Sequence, residues 1–126
     1  MKKIIRFIPS ILWMGFIFYL SSRQTIGIGG NSYWWRFLIL KSFHIIEYAI
    51  LAILLFYAIN QYYYSLFISI IYSLSDEFHQ MFTVGRNATL RDVLFDLSGI
   101  FLGLLIISIL LKIDFFKKFV FQKKIK

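Results

Sequence analysis

Apolar residues follow one another along this chain in four long runs that are separated by shorter polar segments. The runs cover about residues 4–20, 43–59, 62–78 and 90–111. Each has about the length of a helix that crosses a hydrocarbon core, roughly 17–25 residues. The runs lack the period-two alternation of strands, and an open sheet cannot span lipid. The pattern therefore predicts an all-α integral membrane protein, a four-transmembrane-helix up-down bundle that forms a single domain over residues 1–126.

The segments between these runs differ in character. Residues 60–61 are predicted to form a tight turn, whereas residues 21–42 contain a glycine-rich piece (27–30) and then an apolar, aromatic piece (33–40). We expect the aromatic piece to be an interfacial or re-entrant segment, because it is too short to span and aromatic rings favour the membrane boundary. The tail, residues 112–126, places phenylalanines among lysines, which is typical of segments that contact an anionic membrane surface.

The composition favours a membrane protein over a soluble one. Hydrophobic residues make up 60% of the chain, aromatic residues 21%, and the mean hydropathy is +0.74, whereas a soluble domain is about half apolar. There is no cysteine, which excludes disulfides and thiolate metal ligands. The net charge of +8 does not indicate nucleic-acid binding, because the basic residues lie at the chain ends and beside the apolar runs.

The distribution of basic residues predicts the orientation in the membrane. With four crossings, the termini and the turn at 60–61 share one side, which carries nine of the lysines and arginines, and the other side carries five. The positive-inside rule then places both termini in the cytoplasm and the two longer loops outside.

Most ionisable side chains are predicted to lie at the outward end of the bundle. Five of the six acids and both histidines belong to this set. Burying such groups close to lipid is costly, so they normally face the bundle interior and serve a function. The polar residues that this topology brings together are Ser21, Ser22, Lys41, His44, Glu47, Tyr48, Asp76, Glu77, His79, Gln80, Arg86, Arg91, Asp92 and Asp96.

Helical spacing assigns these residues to faces. The second and third helices each carry three polar residues at positions i, i+3 and i+4, which puts each set on one face. The sets are His44, Glu47 and Tyr48, and Asp76, His79 and Gln80. Glu77 is rotated from Asp76 by roughly 100°, so we expect these two acids to have different neighbours.

The fourth helix carries a mixed stripe of Asp92, Asp96, Gly99 and Gly103 at i, i+4, i+7 and i+11. Glycines at this spacing allow close helix packing. A structural explanation of the charges also stands: acids near helix starts complement the helix dipole, and Arg86 and Arg91 would neutralise nearby acids. The number of groups that converge at one end favours a functional site.

Three signatures along the chain resemble those of the VanZ-like family. The first is Ser21-Ser22 after an apolar helix that bears Trp13, and the second is Lys41-x-x-His44-x-x-Glu47-Tyr48. The third is Asp76-Glu77-Phe78-His79-Gln80, followed by Gly85-Arg86 and then Asp92-x-x-x-Asp96-x-x-Gly99.

The resemblance implies a multi-pass protein of the bacterial inner membrane that is associated, through the family's namesake, with resistance to the glycopeptide teicoplanin. Two positions depart from the family pattern. Val84 stands where proline is often found, and Asp96 stands where asparagine is frequent, so the family does not require a charge at position 96.

The first functional hypothesis is an enzyme that acts on a lipid-linked or envelope substrate. Acid and base catalysis would come from Glu47, Asp76, His79 and His44. Substrate binding would come from Ser21, Ser22, Lys41, Tyr48, Glu77, Gln80, Arg86, Asp92 and Asp96. No cofactor is expected, although a divalent metal at His44, Glu47, Asp76 and His79 is a variant of this hypothesis.

The alternative is a non-catalytic binding module for lipid head groups or lipophilic glycopeptides, with residues 21–42 as a lid. A transporter is a third hypothesis, which we regard as weaker because four short helices offer little room for alternating access. The expected partners are membrane lipids, together with a lipid-linked envelope precursor or a glycopeptide, and the sequence does not fix the oligomeric state.

Overall fold

The computed structural model describes residues 2–23, 32–84, 86, 89–113, 115–116 and 120. Within these residues all regular structure is helical, which confirms the predicted all-α class. The helices are α1 (Lys2–Ile5), α2 (Ile8–Ser21), α3 (Tyr33–Ile59), α4 (Tyr62–Gln80) and α5 (Leu90–Leu110). The glycine-rich piece 27–30, Gly85 and most of the basic tail lie outside the described residues.

The first apolar run is divided between α1 and α2. Pro9 lies in the first turn of α2, where its missing N–H costs least. Its ring would clash with the carbonyl four residues earlier, that of Ile5, if one helix continued through both segments. As a result α2 has 14 residues, fewer than the roughly 17–25 needed to cross a hydrocarbon core.

The prediction that residues 33–40 are separate from the second helix is wrong, and their position at the membrane interface stays a prediction. Residues 33–40 form the first turns of α3, a single helix of 27 residues. No glycine or proline lies between Tyr33 and Ile59, so nothing in the backbone interrupts the helix. The aromatic side chains of Tyr33, Trp34 and Trp35 are nevertheless exposed, as rings at a membrane boundary would be.

The turn between α3 and α4 agrees with the prediction. Asn60 adopts the left-handed conformation, with φ of 65°, and its N–H bonds the Phe56 carbonyl at 2.7 Å. Asparagine tolerates this conformation better than most residues. The chain therefore reverses within two residues.

Two helices, α3 and α5, are long and apolar enough to cross a membrane, judged by length and composition. The four predicted crossings are therefore supported in part. The helix α4 differs because its buried face is polar: Ser65, Ser69 and Ser73 are fully buried along it. Crossings by α2 and α4 stay predictions.

The closest helix pair is α3 with α5. A Cβ on Gly99 would overlap the Ile45 carbonyl, and a Cβ on Gly103 would overlap that of Ala49. The two glycines therefore bring the backbones into contact, which is the packing that their spacing predicts.

The helix assembly has two chemically different ends. The turn end is where α3 ends and α4 begins, at residues 60–61, and the polar end is where α2 and α4 end and α5 begins. The apolar core runs between them along α3 and α5, and includes Leu51, Leu55, Phe56, Ile100 and Ile107.

Candidate functional site

A cavity of about 490 Å³ opens at the polar end. Four cationic side chains line it: Arg36, Lys41, Arg86 and Arg91. Of the predicted site residues, Lys41, His44, Gln80, Arg86 and Asp92 take part in its lining. Its aromatic wall comes from α3, from Tyr33 and Phe37.

Asp92 organises one side of the cavity. It forms an ion pair with Lys41, which joins α3 to α5. Its second oxygen accepts a hydrogen bond from the Thr89 backbone N–H at 3.3 Å, and Thr89 caps the helix in return. This capping box begins α5 in a fixed direction, so Lys41 is held where the helix starts.

Arg86 organises the other side. Its guanidinium donates to the Gln80 side-chain oxygen at 3.0 Å and to the backbone carbonyls of Leu20 and Arg23 at 3.0 and 3.3 Å. A single side chain therefore joins the ends of α2 and α4. All three of these acceptors are neutral oxygens, so none of them forms an ion pair with the guanidinium.

His44 lines the cavity and forms a pair with Asp96, which lies behind it and is not part of the lining. His44 Nδ1 is 2.8 Å from Asp96 Oδ1, and the Ser73 hydroxyl donates to Asp96 Oδ2 at 2.7 Å. His44 is 7% exposed and Asp96 is completely buried. Both oxygens of Asp96 are thus engaged by one neighbour each, from α3 and α4.

Asp76 and Glu77 have different neighbours, in keeping with their angular separation. Asp76 Oδ2 accepts hydrogen bonds from Gln80 at 2.8 Å and from the Tyr48 hydroxyl at 3.3 Å. Glu77 is buried, and neither of its carboxylate oxygens has a hydrogen-bond partner in the part of the chain that the structure describes. One donor atom each from His44, Glu77 and Asp96 lies within 4.8 Å of the others.

The remaining predicted residues lie away from the cavity lining. His79 stacks on Phe18 with ring centroids 4.3 Å apart, and its Nδ1 is 3.4 Å from the Ser21 hydroxyl. The Glu47 carbonyl accepts a hydrogen bond from the Trp13 indole at 2.9 Å, and Ser22 is exposed. The proposed catalytic set of His44, Glu47, Asp76 and His79 is therefore distributed over different neighbours.

Three residues that line or support the site were not among the predicted site residues. Arg36 lies one helical turn before Leu40 and two turns before His44, and all three line the cavity. This spacing becomes visible only when residues 33–40 are part of α3. Thr89 precedes Asp92 by the spacing of a capping box, which is a recognisable signal. Ser73 is one turn before Asp76 and carried no signal of its own.

Membrane-length helices whose polar groups are buried together at one end define a class: a helical membrane protein with an ionisable site near the end of its helices. A family model described as VanZ/LLP1 matches residues 5–111. The chain belongs to the VanZ/LLP1 family, which confirms the resemblance seen in its signatures. No curated protein and no solved structure matches the chain.

Proposed function

We propose that this VanZ-like protein binds the phosphate-bearing head group of an envelope lipid in the cavity at the polar end. The observation that carries the proposal is the lining, in which four cationic side chains accompany a single carboxylate, that of Asp92. Guanidinium groups suit phosphate because they donate two parallel hydrogen bonds. Since Lys41 is paired with Asp92, we assign the attraction to Arg86 and Arg91, which also line the cavity.

The surroundings of the cavity support a lipid over a soluble phosphate compound. Tyr33, Trp34 and Trp35 are exposed at the start of α3, and such rings favour the depth at which lipid head groups lie. The proposed topology has both termini in the cytoplasm and the cavity at the outer face of the inner membrane. The lipid would then belong to the outer leaflet.

A lipid-binding experiment tests this function directly. The purified protein in detergent is mixed with phosphatidylglycerol or with diacylglycerol, which lacks phosphate, and retained lipid is measured by native mass spectrometry. We expect retention of phosphatidylglycerol and about a tenfold loss in Arg91→Gln, because a charge-assisted contact contributes about 1.5–3 kcal/mol. Arg23→Gln is the matched control, since Arg23 lies just beyond the end of α2, is exposed, and hydrogen-bonds Tyr19 of that helix. Equal retention of the two lipids, or equal losses in the two variants, would reject the proposal.

Family membership supports a second element of the proposal, namely that head-group binding protects cells against teicoplanin. Teicoplanin carries a lipid tail and vancomycin does not, so an effect exerted at the membrane should distinguish the two. Expression of the protein in a susceptible bacterium is expected to raise the inhibitory concentration of teicoplanin alone. The Arg91→Gln variant should lose this protection and Arg23→Gln should keep it.

Catalysis on the bound head group is the second candidate function. It is favoured by His44, which lines the cavity while its Nδ1 contacts Asp96. An acid or base held in this way suits proton transfer. The same lipid mixture separates the candidates, because an enzyme converts the lipid to a product of different mass, and His44→Gln would abolish that product. Recovery of unchanged lipid from the wild type would leave binding as the function.

A further inference from the structure

We infer that His44, Glu77 and Asp96 bind one divalent transition-metal ion, such as Zn²⁺ or Mn²⁺, beside the cavity that His44 lines. These residues come from α3, α4 and α5, so the ion would join three helices. The site goes beyond head-group binding, and it differs from the set of four residues that the sequence suggested, of which it keeps His44 alone.

The distances fit a common ion. Donors that lie about 2.0–2.2 Å from one metal are about 3–3.4 Å apart when they occupy neighbouring positions. His44 Nδ1 and Asp96 Oδ1 are already 2.8 Å apart, and the three donor atoms lie within 4.8 Å of one another. Rotation of the Glu77 side chain closes the remaining gap, and no hydrogen bond to a described residue holds its carboxylate in place.

The environment of Glu77 also supports a cation at this position, apart from the distances. Its side chain is 6% exposed, and both of its carboxylate oxygens are buried without a described partner. A buried carboxylate normally accepts several hydrogen bonds or faces a cation. Asp96 differs, since Ser73 and His44 engage both of its oxygens. A cation at this position would satisfy Glu77.

The donor set indicates the kind of ion. Two carboxylates and one neutral imidazole carry two negative charges, which a divalent ion balances. A mixed nitrogen and oxygen set suits Zn²⁺ or Mn²⁺ better than Ca²⁺, which takes six to eight oxygens. Three protein ligands also leave positions open for water or for a substrate oxygen. Because His44 lines the cavity, an ion bound to it would lie next to that cavity.

His44 Nδ1 and Asp96 Oδ1 can either share a proton in a hydrogen bond or bind the metal ion, but they cannot do both at once. The competing arrangement is therefore an uncharged Glu77 beside a hydrogen-bonded His44–Asp96 pair. The two arrangements predict opposite behaviour of a Glu77→Gln variant. Glutamine matches the uncharged acid in size and polarity, whereas it is a poor ligand for a transition metal.

The test is metal binding by the full chain in detergent, without lipid, so that its failure is separate from failure of head-group binding. The tag-free protein is stripped with EDTA, incubated with Zn²⁺ or Mn²⁺, desalted and assayed by elemental mass spectrometry. We expect about one ion per wild-type chain and less than about a tenth of that in Glu77→Gln and His44→Gln. Glu47→Gln is the matched control on α3 and should keep its ion.

Thermal unfolding is a second measurement, and its result does not depend on how much folded protein each variant yields. In EDTA, Glu77→Gln should have a higher Tm than the wild type, because the unpaired buried charge is removed. With saturating metal the order should reverse, since ions that bind only the folded state stabilise it. Absence of retained metal in the wild type, or equal retention in Glu77→Gln, would overturn the inference.

Discussion

The two ends of α3 and α5 are stabilised by different interactions although they belong to the same two helices. Towards the turn end, the buried contacts are apolar and include Leu51, Leu55 and Ile107. Towards the polar end, the same helices are joined by the Lys41–Asp92 ion pair and the His44–Asp96 contact. Apolar packing therefore positions the helices, and the polar residues use the resulting geometry.

Gly99 and Gly103 lie between the two ends. Both contact the α3 backbone directly, so they set the distance at which Asp96 meets His44. Mutations in the apolar half should therefore affect folding, and mutations at the cavity should affect binding. Substitution of either glycine should impair folding and binding together.

The largest effect is expected from Gly103→Leu. The opposing atoms belong to the Ala49 backbone, which cannot rotate away, so α3 and α5 must separate. We expect a loss of about 3 kcal/mol or more in stability, at the upper end for overpacked cores, together with loss of lipid retention. Chemical unfolding in detergent measures the first and native mass spectrometry the second. Gly15→Ala is the control, because nothing lies within 4 Å of its added Cβ.

A smaller and purely structural effect is expected from Ile100→Ala. Ile100 is completely buried, one turn beyond Asp96 on α5, and its truncation leaves a cavity in the apolar half. The expected loss is about 2 kcal/mol in unfolding free energy, with unchanged lipid retention by the folded protein. A parallel loss of lipid affinity would show that the two halves are not separable.

Arg86→Gln should weaken lipid retention more than it lowers stability. It removes the charge from the cavity and its hydrogen bonds to the ends of α2 and α4. We expect about a tenfold weaker retention of phosphatidylglycerol and a loss of about 1 kcal/mol in stability. Lipid titration followed by mass spectrometry gives the first value and thermal unfolding the second. A stability loss as large as that of Gly103→Leu would instead assign Arg86 a mainly structural role.

The smallest effect is expected from Tyr48→Phe. The Tyr48 hydroxyl donates to Asp76 at 3.3 Å, and its removal takes away one of the two hydrogen bonds of that oxygen. We expect a loss of about 1 kcal/mol in unfolding free energy. Tyr63→Phe, at a position that is 87% exposed, should leave stability unchanged. Indistinguishable values for the two variants would mean that this contact contributes nothing.

Much of the fold could be predicted because helical apolar runs are explicit in the sequence. The predicted helices differ from the observed ones at two places. The aromatic residues at 33–35 suggested a separate interfacial segment, whereas the lack of glycine and proline up to Ile59 was the better guide. In the first run, Pro9 separates the short helix α1 from α2, a division that the apolar pattern alone does not show.

The location of the site at one end of the helices could be predicted, whereas the contacts between its residues could not. The four-helix topology predicts that His44, Glu77 and Asp96 lie at the same end. Which of them meet depends on the rotation of each helix about its axis, and for α3 and α5 close packing at Gly99 and Gly103 fixes that rotation. A helical wheel does not contain this information, so the sequence grouped His44 with Asp76 and His79 instead.

Site-specific photocrosslinking tests the central claim most directly, because it compares the two ends within one protein. The photoreactive residue p-benzoylphenylalanine is placed at Phe37, in the cavity wall, or at Tyr63, at the turn end. The protein is then irradiated in vesicles that contain radiolabelled phosphatidylglycerol.

We expect labelling at position 37 that is displaced by excess unlabelled phosphatidylglycerol and falls about tenfold when Arg91→Gln is added. Labelling at position 63 should be weaker and insensitive to both. Equal, non-displaceable labelling at the two positions would contradict the assignment of the cavity as a lipid head-group site.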